Sequence, residues 1–296
     1  MHILSIQNCR VIMSPQNIRP LTLDRCSINT ATLGHHSPIE RVIDLVARHG
    51  FGAIAPWRRD LSGHDVTTVS RQIRDAGLAV SGLCRSTYFP AATRQDFLAN
   101  VEDNRRALDD AAVLGAPCFV LVVGTTPAGH KGLDLARAQV LEGLSLLLDH
   151  ARHVGVALAI EPLHPMYAGD RSCVASLSEA LAMCDTLDPE GRGGVATAID
   201  AYHVWWDWKL ADGIAEAGRK GRIAAFHVCD WLVPTKDLLL DRGMMGEGVI
   251  DLSAMRALIE AAGYDGFVEV EIFSNHWWNQ PEQHVLEACG RSLQLI

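Results

Sequence analysis

The sequence predicts a (β/α)8 barrel of the TIM type. Three observations carry that prediction. Eight apolar runs of strand length recur along the chain, each followed by a segment with helical patterning. Many of those segments end on glycine, which takes the left-handed C′ position of a helix at little steric cost. No linker breaks the series, so the eight units are expected to form one closed parallel sheet with its helices outside. An open doubly wound sheet is the structural alternative. It would want a Gly-rich phosphate turn after the first strand, and "TATLGHHSP" is not one.

The elements follow in order. Strands are expected at 26–33 (CSINTATL), 52–57 (GAIAPW), 79–85 (AVSGLCR) and 117–124 (PCFVLVVG). The next four are 156–163 (VALAIEPL), 194–200 (GVATAID), 223–230 (IAAFHVCD) and 267–273 (FVEVEIF). Helices are expected at 38–49, 66–76, 94–114, 133–154, 176–186, 208–219, 252–262 and 282–293. Glycine closes "ARHGFGA", "IRDAGLAV", "AAVLGAP", "ARHVGVA" and "IEAAGYDG", and Ser176 and Asp251 stand where N-caps belong. Residues 1–22 fit no unit and read as a short N-terminal extension, with Met13 as a second candidate start. Residues 23–296 form the barrel, close to the roughly 250 residues such a fold needs as a single domain.

Composition narrows the partners. A formal charge of −9 argues against nucleic acid or an anionic membrane surface. Small molecules are the expected target, with a homo-oligomer (dimer or tetramer) as the expected assembly. No apolar run reaches the roughly 18–20 residues of a membrane span. "MHILSIQNCRVIM" is too short and too poor in positive charge for a secretory signal. The eight cysteines are scattered and form no CxxC pair. Several lie in apolar runs such as "APCFVLVV", so buried reduced thiols in a cytoplasmic protein are expected.

In such a barrel the loops after the strands form the active face. Strand five ends in Glu161, strand six in Asp200, strand seven carries His227 and strand eight carries Glu271. Two positions before them stand Ala159, Ala198, Ala225 and Glu269. Residues of opposite parity are Ile160, Ile199, Phe226 and Val270. Alternation therefore turns the large apolar groups toward the helices and the four polar ends toward the barrel mouth. Three carboxylates and an imidazole converging there repel one another unless a cation joins them. Three oxygens and one nitrogen suit one Mn²⁺, Co²⁺ or Mg²⁺ ion, with Zn²⁺ as an alternative. Glu269, one step deeper, is expected to support the site from behind or within the barrel.

The series Glu161, Asp200-x-x-His203, His227-x-x-Asp230 and Glu271 resembles the xylose isomerase-like sugar (phosphate) isomerase/epimerase superfamily. That superfamily includes ketose 3-epimerases, hydroxypyruvate isomerase, inosose dehydratase and inosose isomerase. "GEGVID" (246–251) is similar to its Gly-x-Gly-x-x-Asp stretch. The resemblance spans about 23–293. It implies a single divalent metal on Glu161, Asp200, His227 and Glu271, with the two glutamates as acid and base. It also implies that His203 and Arg242 touch substrate oxygens and that Asp230 supports the site. One departure stands out: epimerases carry a further Glu where this chain has Tyr167. The implied activity is isomerisation or epimerisation of a sugar, keto-sugar or sugar acid, through proton abstraction next to a carbonyl and a metal-stabilised enediolate. A lyase of inosose dehydratase or keto-sugar eliminase type would use the same site. An endonuclease IV-like phosphodiesterase and a sugar-binding barrel without activity are more distant alternatives.

The rim adds candidates. All seven tryptophans fall at or after strand ends. Trp57 and Trp231, with His164 in the loop after strand five, are expected on the substrate wall, since flat aromatic faces suit sugar C–H groups. Arg85, ending strand three, is expected to hold a carboxylate or phosphate. His35 and His36 are candidate rim residues, and 231–248 (WLVPTKDLLLDRGMMGEG) is a candidate lid.

Overall fold

The computed structural model describes residues 20–296. Its strands are β1 (Cys26–Asn29), β2 (Ala53–Ala55), β3 (Ala79–Val80), β4 (Cys118–Leu121), β5 (Ala157–Ile160), β6 (Val195–Asp200) and β7 (Ile223–Val228). A small hairpin of β8 (Asp230–Trp231) and β9 (Arg242–Gly243) precedes the last barrel strand, β10 (Val268–Val270). The large sheet runs β3-β2-β1-β10-β7-β6-β5-β4, with every pairing parallel. Its two ends meet just beyond β3. Leu83 bridges Phe119, its N–H donates to Cys118 O at 3.1 Å, and Val120 N–H donates to Leu83 O at 2.9 Å. The sheet therefore closes into the expected barrel.

The major helices are α1 (Ile39–Arg48), α2 (Val66–Asp75), α3 (Arg94–Leu114), α4 (Asp134–Val154) and α5 (Leu177–Leu187). After the four-residue α6 (Ala201–Val204) come α7 (Leu210–Arg219), α8 (Leu252–Ala261), the short α9 (Asn275–Trp278) and α10 (Glu282–Ser292). The eight long ones match the expected segments to within about two residues. Gly115 and Gly155 end α3 and α4 at φ 76° each, where a Cβ would be strained. Ser176 caps α5 by accepting from Glu179 N–H, and Asp251 caps α8 by accepting from Ala254 N–H.

Several expected strands run too long, because their ends turn into loops that build the rim. Residues Thr30–Leu33 form a 3-10 turn, not strand, with Asn29 Oδ1 accepting from Ala31 N–H. Regular pairing of the third strand stops at Val80. The short helices α6 and α9 and the β8–β9 hairpin were not expected from periodicity. Each short helix starts on a polar side chain, Asp200 and Ser274 respectively. Of the expected extension 1–22, only 20–22 lie within the described residues, and there Leu21 joins the main core. Cys9 lies outside the described residues, and the other seven cysteines are buried and free. Among the described residues, no helix is long and apolar enough to cross a membrane.

Alternation sorts the side chains as expected. Ile160, Ile199, Phe226 and Val270 join the main core, while Ala159, Ala198 and Ala225 line the barrel interior with Cys84, Cys118 and Val120. The register between β6 and β7 slips by one residue. Thr197 pairs with Ile223, but Ala198 pairs with Ala225. That bulge brings Asp200 directly opposite His227.

Candidate metal centre

Glu161 follows β5, Asp200 ends β6, His227 lies on β7 and Glu271 follows β10. These strands are consecutive neighbours in the barrel. The two glutamates are thus the outer members, flanking Asp200 and His227. All four side chains are buried, and each offers a ligand atom within 4.8 Å of the others. The structure brings together the four residues singled out from the sequence.

Their hydrogen bonding is incomplete. His227 Nδ1 lies 3.2 Å from Glu161 Oε1 and 3.8 Å from Glu271 Oε2. Yet neither ring nitrogen nor Glu161 Oε1 makes a hydrogen bond among the described residues. Buried polar atoms left without partners cost about 1–3 kcal/mol each. Burial also raises the pKa of Glu161, against the pull of His227. Burial pushes Glu271 up to about 8, with Glu161 and Asp200 adding to it and His227 and Arg242 opposing. Burial disfavours charge on His227, but Glu269, Glu161 and Glu271 outweigh it and raise its pKa well above the ordinary value. The cluster is short of positive charge. A divalent cation would fit the orphaned nitrogen and oxygens and the all-O/N donor set.

The supporting shell follows from the same strand ends. His227 Nε2 lies 3.5 Å from Glu269 Oε1. A carboxylate on that side favours the proton on Nε2 and leaves Nδ1 free to ligate. Glu269 accepts from Asn29 Nδ2 at 2.8 Å and from Ser81 Oγ at 2.7 Å. Asn29 Nδ2 also donates to Glu271 Oε1 at 3.0 Å, and its Oδ1 accepts from Trp57 Nε1 at 2.7 Å. Sequence reasoning missed Asn29 and Ser81. Asn29 ends β1, the same kind of position that exposed the other four.

Arg242 is buried inside the cluster. Its Nη1 donates to Asp200 Oδ2 at 2.9 Å and to Glu271 Oε2 at 3.2 Å, and its Nη2 lies 3.2 Å from His203 Nε2. Burial alone would raise the pKa of Asp200, but Arg242, His203 and His227 hold it lower. Burial pushes His203 down to about 3, with Arg242 adding to the effect and Asp200 opposing it. His203 is therefore a neutral ring at the pocket wall. Asp230 faces away from the cluster. It accepts from Trp231, Gly246, Gly248 and Ile250 N–H at 2.8–3.0 Å. It thereby folds "GEGVI" against the β8–β9 hairpin that carries Arg242. Gly248 is required there, because a Cβ would sit 2.2 Å from Trp231 O.

A pocket opens above the cluster. Glu161, Glu271, His203 and Arg242 line it, together with Trp57, Arg85, Tyr167, Arg171, Leu239 and Phe273. Trp231 and His164 stand outside that lining. Trp231 stacks on Tyr202 at 4.6 Å, and His164 packs on Trp231 at 5.0 Å. His35 is held by Asp60 at 2.7 Å. The candidate lid is pinned, since Tyr167 and Tyr202 hydroxyls both donate to Leu238 O, at 2.6 and 2.9 Å.

Comparison with known proteins agrees with the fold. The profile described as "Xylose isomerase-like TIM barrel" matches residues 43–292. The protein SMc04130 from Sinorhizobium meliloti 1021 is 50% identical, covering 93% of this chain and 98% of its own, with a TM-score of 0.89. A Streptomyces coelicolor protein, provisionally named hydroxypyruvate isomerase, is 23% identical over 266 residues, 83% of this chain and 90% of its own. The IOLI protein, solved with a bound zinc atom, shares the fold at a TM-score of 0.77 and 19% identity, covering 90% of this chain and 96% of its own. With most of the barrel matched by that profile, the chain belongs to the xylose isomerase-like TIM barrel family.

Proposed function

We propose that this protein is a divalent-metal-dependent isomerase or epimerase of a sugar, keto-sugar or sugar acid. One observation carries the reading: four buried ligand residues from four neighbouring strands converge within 4.8 Å at the foot of an open pocket. Glu161, Asp200, His227 and Glu271 hold the ion, with Mn²⁺, Co²⁺ or Mg²⁺ as first candidates and Zn²⁺ supported by the IOLI likeness. The ion supplies an electrophile that makes a proton next to a carbonyl more acidic. Glu161 and Glu271, as outer members of the cluster, reach a substrate from two sides. One removes the proton and the other returns it. Return to the same carbon from the opposite face gives epimerisation, and return to the neighbouring carbon gives isomerisation. His203 and Arg242 orient substrate oxygens, and the aromatic wall of Trp57 and Phe273 excludes water.

The test is a screen of keto-sugars, inososes and keto-sugar acids with added Mn²⁺ in D₂O. Deuterium uptake at one carbon of a recovered substrate or product supports the proposal. Loss of water with a new ultraviolet-absorbing product would instead assign a lyase. No exchange with any member of the panel would count against proton-transfer chemistry.

A further inference from the structure

We infer that the pocket takes substrates bearing an anionic head group, a carboxylate or phosphate, clamped by Arg85 and Arg171. The inference rests on the proposed sugar chemistry of the same pocket and adds the class of substrate. Both arginines line the pocket, Arg85 from the loop after β3 and Arg171 from the loop after β5. Each guanidinium lies over a tyrosine ring. Arg85 stands 4.9 Å from the centroid of Tyr88, and Arg171 stands 5.3 Å from that of Tyr167. Tyr167 and Tyr88 belong to one small apolar cluster around Val122, the residue that continues the β4 end. The two cations thus rest on rings of one apolar cluster, from the loops after the strands on either side of β4. Stacking fixes the plane of a guanidinium and leaves its edge donors free.

Those donors are less engaged than those of Arg242: Arg85 has no ion pair among the described residues, and Arg171 has only a long one to an exposed carboxylate. Among the described residues, no carboxylate forms an ion pair with Arg85, whose one hydrogen bond is to Ser86 O at 3.3 Å. Arg171 Nε is buried without a hydrogen bond. Its nearest carboxylate, Asp170, is 3.7 Å away and largely in solvent. By contrast, Arg242 Nη1 is shared by two buried carboxylates, Asp200 at 2.9 Å and Glu271 at 3.2 Å, although its Nε is also buried without a hydrogen bond. Tyr167 adds no negative charge between them, since its hydroxyl donates to Leu238 O. Two weakly paired guanidiniums lining the same pocket as Glu161 and Glu271 match an oxyanion on a substrate whose reacting carbons lie at the acid cluster.

The experiment is calorimetric binding to the full chain with Mn²⁺, using D-fructose, D-fructuronate, D-fructose 6-phosphate and inorganic phosphate as probes. The three sugars differ only at the terminal carbon. The expected result is at least tenfold tighter binding of one anionic sugar than of D-fructose. Arg85→Met and Arg171→Met should each erase most of that gap while changing D-fructose affinity less than twofold. The Lys variants should keep part of it, which guards against misfolding of the Met variants. The preferred anion distinguishes carboxylate from phosphate. Equal affinity for neutral and anionic sugars overturns the clamp but leaves the sugar reading standing. Phosphate binding that the double Met variant loses, with no sugar bound, supports the clamp and counts against the sugar reading. No binding of any anion overturns the clamp.

Discussion

Asp188 and Glu161 are both buried carboxylates, one at each end of the barrel, and their surroundings differ. Asp188 lies below the sheet, after α5. Its Oδ1 accepts from Arg152 Nη2 and Arg192 N–H, both at 2.9 Å. Its Oδ2 accepts from Gly193 N–H at 2.9 Å and lies 2.8 Å from Arg222 Nη1. Two cations and two amides thus surround one anion. At the mouth, Glu161 shares its space with Asp200 and Glu271, Glu161 Oε1 has no donor, and the one guanidinium goes to the other two. The lower cluster is built for stability and closes around its own carboxylate. The upper one leaves charge and lone pairs over, and those are what a cation and substrate would use.

That contrast predicts opposite responses to mutation. The largest effect is expected at the mouth. Glu161→Gln or Glu271→Gln should lower turnover by about 10²–10⁴-fold, the usual range for a positioned acid or base. Removing one of several like charges should leave the melting temperature unchanged or raised. Wild-type turnover in both variants would break the assignment. At the lower cluster the pattern should invert. Asp188→Ala takes the carboxylate away from the buried Arg222 and the half-buried Arg152 and is expected to cost about 3–5 kcal/mol in urea unfolding, with turnover per folded molecule retained. Asp230 lies between these cases. Asp230→Ala leaves three amides of the "GEGVI" loop unpaired, that of Ile250 buried, and should cost about 1–3 kcal/mol. It should also weaken catalysis indirectly by loosening Arg242, and Asp230→Asn should recover part of both losses.

The smallest effect is in acid. Burial would raise the pKa of Asp188, but the Gly193 and Arg192 amides and the Arg222 guanidinium outweigh it and hold the pKa below the ordinary carboxylate value. A carboxylate lowered in this way stabilises the fold in full above its unfolded pKa of about 3.9. That contribution disappears as pH falls through the folded value. Wild-type stability should therefore drop below about pH 4, and Asp188→Ala should drop less over the same interval. Parallel pH profiles would show that the lower cluster does not carry the linkage.

The sequence made much of this readable, for a local reason. Strand alternation and chain order alone placed Glu161, Asp200, His227 and Glu271 at equivalent strand ends, and a barrel turns equivalent ends toward one mouth. What stayed hidden depends on contacts between strands. Asn29 is one amide in "CSIN", and only the β1–β10 pairing sets it against Glu269 and Glu271. The bulge that aligns Asp200 with His227 leaves no mark in the periodicity of "IAAFHV". Arg171 sits in an irregular loop, where no repeat says which way a side chain points. Asp230 gives its oxygens to the amides of a loop sixteen to twenty residues away in sequence, a partnership that no local pattern announces. Trp231 and His164 carried the right chemistry for a sugar wall, yet they spend their faces on each other and on Tyr202.

The most direct test of the account is metal content and affinity, read without any substrate. Protein purified without chelator is stripped, then titrated with Mn²⁺ while free ion is followed by electron paramagnetic resonance and stability by thermal melting. The expected result is one ion per chain, a melting temperature that rises with Mn²⁺ as preferential binding to the folded state requires, and loss of both in an Asp200→Ala/His227→Ala variant that still folds. A wild-type chain that binds no Mn²⁺, Co²⁺, Mg²⁺ or Zn²⁺ and melts at the same temperature with or without them would contradict it.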